Sequence, residues 1–250
     1  MSQLRANLRR LAQDHVRHLT EMLNQTVAEK VHVGCLWDHG YDDVMGYGTG
    51  LWPGRSPSFV PLRSASDHPV WLRIAGTLFL DPAGFLTVRT SSFALAAGDP
   101  PSELLHYDYE RDKVAYPDAH IQVEAASGAW VRLLTSSGRS AAGLGKIHLP
   151  VGGRRYRPAL EDLMETLILE DLVEPHPGWA KVLDAGRDDF RRRQLRAAIR
   201  NDPDTAAAAL RLLRYGVDEP DRSGSAAVAM TVRTAKTKLF RDRKARRLGR

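Results

Sequence analysis

The stretch WLRIAGTLFLDPAGFLTVRTSSF, residues 71–93, reads as two strands and a turn. Leu72, Ile74, Gly76, Leu78 and Leu80 recur at every second position, the period that sends side chains to one face of a strand. DPAG at 81–84 has Pro second and Gly fourth, the chemistry of a tight turn. FLTVRTSSF then alternates again. Together these features predict a β-hairpin.

The same reading extends outward. GDPPSE at 98–103 breaks the chain, and strands follow at 104–110 and 119–125. Two more are expected, in WVRLLTS from Trp130 and in KIHLPV at 146–151. Upstream, 34–69 is rich in Gly, Pro, Trp and Tyr without a sustained period, which leaves room for one or two short strands in a long ordered loop. Five or six strands with short connections predict an antiparallel β-meander.

Helices flank this region. Leu4, Leu8, Leu11, Leu19, Leu23 and Val27 keep helical spacing over 3–29, with arginines between them. That stripe would pack on the body or on a second copy of the chain. A further helix opens at Pro158, with Glu161 and Asp162 suiting its positive end and an apolar stripe of Leu160, Leu163, Met164, Leu167, Ile168 and Leu172. Helices at 187–200 and 203–215 come next, the second capped by Asp202. The class is therefore α+β. The expected organisation is an N-terminal amphipathic helix (1–30), a core domain (31–175), a helical segment (176–219), and a linker with a basic tail (220–250).

Composition bounds the function. With 250 residues, 43% of them hydrophobic, the chain can bury a core. No apolar run reaches the ~20 residues of a membrane span. Charges scattered through MSQLRANLRRLAQDHVRHLTEML do not suit a secretory signal, so a cytoplasmic location is expected. The single cysteine, Cys35, excludes an internal disulfide and reads as a small buried hydrophobe. A net charge of +6, carried mostly by arginine, suits RNA or another polyanion, although GC-rich coding produces the same bias.

The chemistry concentrates in LLHYDYERDKVAYPDAHIQVEA, residues 104–125. On paired strands His106 and Asp108 would emerge beside His120, Gln122 and Glu124, while Leu105, Tyr107, Tyr109, Ile121 and Val123 meet the core. His148 in KIHLPVGGRRYRP would join them, and Arg154, Arg155 and Arg157 follow at once. Two histidines near a phosphate can exchange a proton as general base and acid, and arginines can hold the developing charge. The candidate catalytic residues are His106 and His120 as the acid–base pair, with His148 auxiliary. Asp108, Gln122, Arg154, Arg155 and Arg157 are the candidate substrate contacts. No metal or other cofactor is expected. The same alternation would equally clothe a solvated sheet face. Asp38, His39, Asp42 and Asp43 are metal-ligand types, but their spacing suits turn residues better.

The order HYDYE, AHIQVE and IHLPVGGRRYRPALEDLMETLI, within 104–173, resembles small bacterial proteins encoded beside toxin–antitoxin or phage-defence genes, the TumE-like toxins among them. This chain is longer, has helices at both ends, and lacks their doubled histidines on the second strand. The resemblance implies an RNA-directed toxin or defence component. The expected function is thus an RNA-directed phosphodiesterase. The alternative is a non-catalytic module that binds nucleic acid through the basic tail, or that binds a protein partner or second copy through the N-terminal helix.

Overall fold

The computed structural model describes residues 3–37, 43–113, 115–125 and 148–218, except for the side chains of Arg154 and Arg155. The strand expected at Trp130, the loop residues 38–42 and the basic tail lie outside the described residues. The chain divides into two compact units, Met1–Leu195 and Arg196–Arg250.

The first unit opens with α1 (Gln3–Thr26) and continues through β1 (Val33–Trp37), β2 (Met45–Thr49), β3 (Val60–Pro61), β4 (Val70–Leu80), β5 (Leu86–Ala97), β6 (Ser102–Glu110), β7 (Ala119–Val123) and β8 (Leu149–Pro150). A short turn of helix, α2 (Gly153–Tyr156), leads to α3 (Leu160–Leu169) and α4 (Trp179–Asn201). The strands form one antiparallel sheet in the order β1-β2-β4-β5-β6-β7-β8, with β3 pairing β4 beside β2. The α+β meander stands, with eight strands among the described residues where five or six were expected. Three of them, β1 to β3, come from the Gly- and Pro-rich segment that has no readable period.

The predicted hairpin is the centre of the sheet. Leu80 pairs with Leu86, and the Asp81 carboxylate accepts the backbone N–H groups of Ala83 and Phe85. Gly84 takes φ 80°, a value that suits glycine and closes the turn.

One face of the sheet carries the core. Val70, Leu72, Ile74 and Leu78 of β4 share an apolar cluster with Leu8, Val16, Leu19, Met22 and Leu23 of α1, with Leu163, Met164 and Leu167 of α3, and with Leu183 of α4. The helix expected as a separate segment over 1–30 is thus built into this unit, and the unit runs past 175 to Leu195. The apolar stripe of α1 is used on the body. Its outer face carries Arg10 and Arg17, both paired with Asp14. Cys35 is half-buried, and burial pushes its thiol pKa up, as befits a packing residue.

Three helix boundaries differ from expectation. Pro158 stands before α3 rather than at its first position; Ala159 caps the helix, its N–H bonded to the Asp162 carboxylate at 2.8 Å. The helix ends at Leu169, so Leu172 falls beyond the stripe and is exposed. α4 begins earlier than expected, at Trp179.

In the second unit, α5 (Pro203–Leu212) has the predicted cap: the Asp202 side chain accepts from the Thr205 N–H at 3.3 Å. No residue of α5 is buried. No described helix is long and apolar enough to cross a membrane.

His15 on α1 meets the Tyr47 ring edge-on at 5.3 Å. Burial, then the positive charge of Arg193 and of His18, lower its pKa to about 4. The folded state therefore binds fewer protons than the unfolded state between about pH 4 and 6.5. Stability rises with pH across that window and is lost on acidification. His15→Gln is expected to remove this slope, on the order of 1–2 kcal/mol, in urea unfolding at pH 4.5 against pH 7.5. An unchanged slope would contradict the assignment.

Candidate functional site

The opposite face of the sheet carries the polar residues. The register pairs His106 with Gln122 and Asp108 with His120, on the one face expected from the alternation. Leu105, Tyr107 and Tyr109 fall on the helix side. β8 adds to the sheet edge beside β7, with Pro150 opposite His120, which brings His148 to the same place.

Two linked clusters result. In the first, His106 Nδ1 contacts Glu103 Oε1 at 2.6 Å, and Nε2 contacts Gln122 Oε1 at 2.9 Å. Glu103 also pairs with Arg73 at 2.9 Å. Asp108 Oδ2 lies 3.7 Å from His106 Nε2. Burial disfavours the charge on His106. The hydrogen bonds to Gln122 and Glu103, with the negative charges of Asp108 and Glu103, outweigh it and hold the pKa above the ordinary histidine value. Both ring nitrogens of His106 thus face side-chain oxygens.

The second cluster is aromatic. Tyr116 stacks on His148 with ring centroids 4.2 Å apart, and both meet His120 edge-on, at 4.9 and 4.7 Å. The Tyr116 hydroxyl donates to Glu110, which also takes Lys113 Nζ at 2.7 Å. Those hydrogen bonds overcome burial and lower the Glu110 pKa. His120 Nδ1 lies 3.0 Å from the Pro117 carbonyl. A carbonyl only accepts, so Nδ1 carries the proton there, and in the neutral ring Nε2 is the free base. That nitrogen is 4.0 Å from Asp108 Oδ2. Tyr116 and His148 cover His120, leaving it 1% exposed, while His148 is half-buried.

The three histidines are thus brought to one side of the sheet, His120 against His148, with His106 linked to them through Asp108. No family model, curated protein or solved structure matches the chain.

The arginines do not all follow. Arg157 lies over the Tyr109 ring at 4.1 Å and over Phe190 at 5.6 Å, on the helix side of the sheet and away from the histidines. The tyrosine, read as core, is the platform that holds it. Gly152 and Gly153 both take positive φ (69° and 62°) and turn the chain from β8 into α2. Arg154 and Arg155 belong to α2. Glu124, beyond the end of β7, is exposed and apart from the cluster. Among the described residues no three His, Cys, Asp or Glu side chains converge as metal ligands would.

Sequence reasoning missed Tyr116, Glu103, Glu110 and Arg73. Glu110 could have been found, because it continues the His106–Asp108 alternation by one step. Tyr116 lies in the connecting loop, where no period places a side chain.

Proposed function

We propose that the protein is an RNA-directed phosphodiesterase in which His120 and His148 are the acid–base pair. The observation that supports this reading most is their mutual placement, with ring centroids 4.7 Å apart and His120 Nδ1 held by the Pro117 carbonyl. A fixed tautomer leaves Nε2 to take a proton from a ribose 2′-hydroxyl, and a second imidazole at that distance can return one to the leaving oxygen. His148, the more exposed of the two, faces the substrate first. Asp108 supports the imidazolium that forms on His120. His106, which the sequence suggested as one of the pair, acts instead as a charged anchor for Asp108 and Gln122. Arg154 and Arg155 remain the candidate phosphate contacts by their position after β8, and Arg157 leaves that role. The net charge of +6 agrees with a polyanionic substrate.

The test is incubation of the purified chain with total RNA, with and without EDTA. Cleavage is expected in both, falling about 100-fold in His120→Ala and in His148→Ala. Absence of cleavage that either substitution removes would end this reading.

A second reading is favoured by one observation, the burial of His120 to 1% exposure. A ring so covered would serve as a polar knot in a binding module without chemistry. RNA that is bound but not cut, with binding weakened and its salt dependence flattened by deletion of 232–250, would support it.

A further inference from the structure

The polar face holds more than the histidines. Gly48, Ala75, Ser92, Asp108 and His120 form one row across β2, β4, β5, β6 and β7. The adjoining row runs Gly46, Thr77, Thr90 and Glu110. Small side chains on three neighbouring strands, β2, β4 and β5, make a trough in the sheet surface. Gly48 lets its wall approach: a β-carbon there would lie 2.7 Å from Pro57 Cγ and 2.5 Å from the Ile74 carbonyl oxygen. Leu51 and Pro57 form that apolar wall, and the trough encloses about 390 Å³. Its far end is Asp108 and Glu110, next to His120 and Tyr116.

The lining has a definite character. Thr77, Thr90 and Ser92 supply hydroxyls that can donate or accept, and Thr77 and Thr90 bond each other at 2.8 Å. Among the described residues no arginine, lysine or histidine lines the trough, so its lining favours an uncharged group over a phosphate. Asp108 supplies acceptors, and its Oδ1 is buried without a hydrogen-bond donor. The complementary ligand is a flat, uncharged ring that packs on Leu51 and Pro57 and presents N–H donors to the carboxylate end.

We propose that this trough binds one unstacked nucleobase whose edge carries adjacent N–H donors, as guanine's does, with Asp108 as its acceptor. The inference rests on the RNA-directed reading and gives it a base preference. Single-stranded RNA is read in this way, by bases splayed onto a surface and bonded along their edges. The geometry sets the base beside the His120–His148 pair, so the phosphate attached to the same nucleotide would lie toward His148. Uracil and cytosine fill less of the trough, and adenine has no paired N–H edge.

Binding can be read without cleavage. The His148→Ala chain, ¹⁵N-labelled, would be titrated with the 3′-monophosphates of guanosine, adenosine, cytidine and uridine. Guanosine monophosphate is expected to bind at least tenfold more tightly than the others, with shifts in the backbone amides of Thr77, Thr90, Ser92 and Asp108. Added to that chain, Ser92→Leu, which fills the floor from the polar face, and Asp108→Asn, which replaces the acceptor pair, should each weaken binding at least tenfold. Ala75→Leu provides a second block should Ser92→Leu fail to fold. Equal affinity for all four nucleotides, no binding at millimolar concentration, or binding indifferent to a folded trough-filling variant would overturn the proposal. Cleavage of RNA without base preference in binding would leave the phosphodiesterase reading standing and remove this one. Guanosine binding by a chain that cuts no RNA would do the reverse, keeping the trough as a base site.

Discussion

Gly76→Val is expected to destabilise the protein by about 3 kcal/mol or more. Gly76 is on the helix side of β4, between Ile74 and Leu78, where the alternation of the hairpin would place a large apolar residue. The Tyr47 ring from β2 occupies that space. A β-carbon at 76 would meet Tyr47 Cε1 at 2.6 Å and the Thr90 carbonyl oxygen at 2.4 Å. The ring could turn aside only by displacing buried neighbours, His15 among those it touches. The carbonyl belongs to the neighbouring strand and has still less freedom. Two branched methyl groups would therefore part β4 from β5 or expel Tyr47 from the core. Urea unfolding reads the loss. Gly46→Ala is the internal control, since that β-carbon would have nothing nearer than the Leu36 carbonyl oxygen at 3.8 Å. It should change stability by about 0.5 kcal/mol or less, or raise it slightly by restricting the unfolded chain. Equal effects at the two positions would show that crowding on Tyr47 is not what glycine relieves at 76.

Gly76 also marks how far the sequence could be read. Alternation at 71–80 and 104–125 reported which face each side chain takes, because period two is a property of the strand alone. It therefore gave the hairpin, the shared polar face of His106, Asp108, His120 and Gln122, and the core positions of Tyr107 and Tyr109, while the register that sets Asp108 against His120 came from the fold. It could not report that Gly76 makes room for Tyr47, since β2 comes from a segment whose glycines erase any period. Arg157 was assigned to a phosphate because it follows Arg154 and Arg155. Its true neighbours, Tyr109 and Phe190, are 48 and 33 positions away in the chain, and no local pattern links them. Tyr116 escaped for the same reason. The roles of the histidines depended on second partners. His106 is bonded to Glu103, three residues before it across a strand irregularity opposite Leu95 and Ala96, a partner that alternation does not reveal.

The ion pairs of Arg187 present the same problem in a stability setting, and Arg187→Met should cost about 2–4 kcal/mol. Arg187 sits on α4 with its side chain 11% exposed and holds three carboxylates. Nε lies 2.9 Å from Asp162, Nη2 lies 2.5 Å from Glu165, and Nη1 lies 3.1 Å from Asp184. Two of these belong to α3, so one guanidinium ties α3 to α4. Its planar fork donates to Glu165 and Asp184 at once while Nε stands in ion-pair contact with Asp162. Methionine keeps the apolar stem and removes the charge, so packing is largely retained while Asp162 and Glu165 lose their shared counter-charge. Glu161 makes that loss worse. It is 6% exposed, packs where a side chain on Gly186 would stand, and already has its pKa raised by burial, with Arg187 among the charges opposing the rise. Arg187→Lys should recover about half the loss, because an ammonium restores the charge but not the fork. Arg191, 3.9 Å from Asp162 and largely exposed, is too distant and too solvated to substitute. Thermal or urea unfolding of the three chains decides the matter. If Arg187→Met is as stable as the parent within about 0.5 kcal/mol, α3 and α4 are held by their apolar contacts alone and the carboxylates are satisfied by solvent.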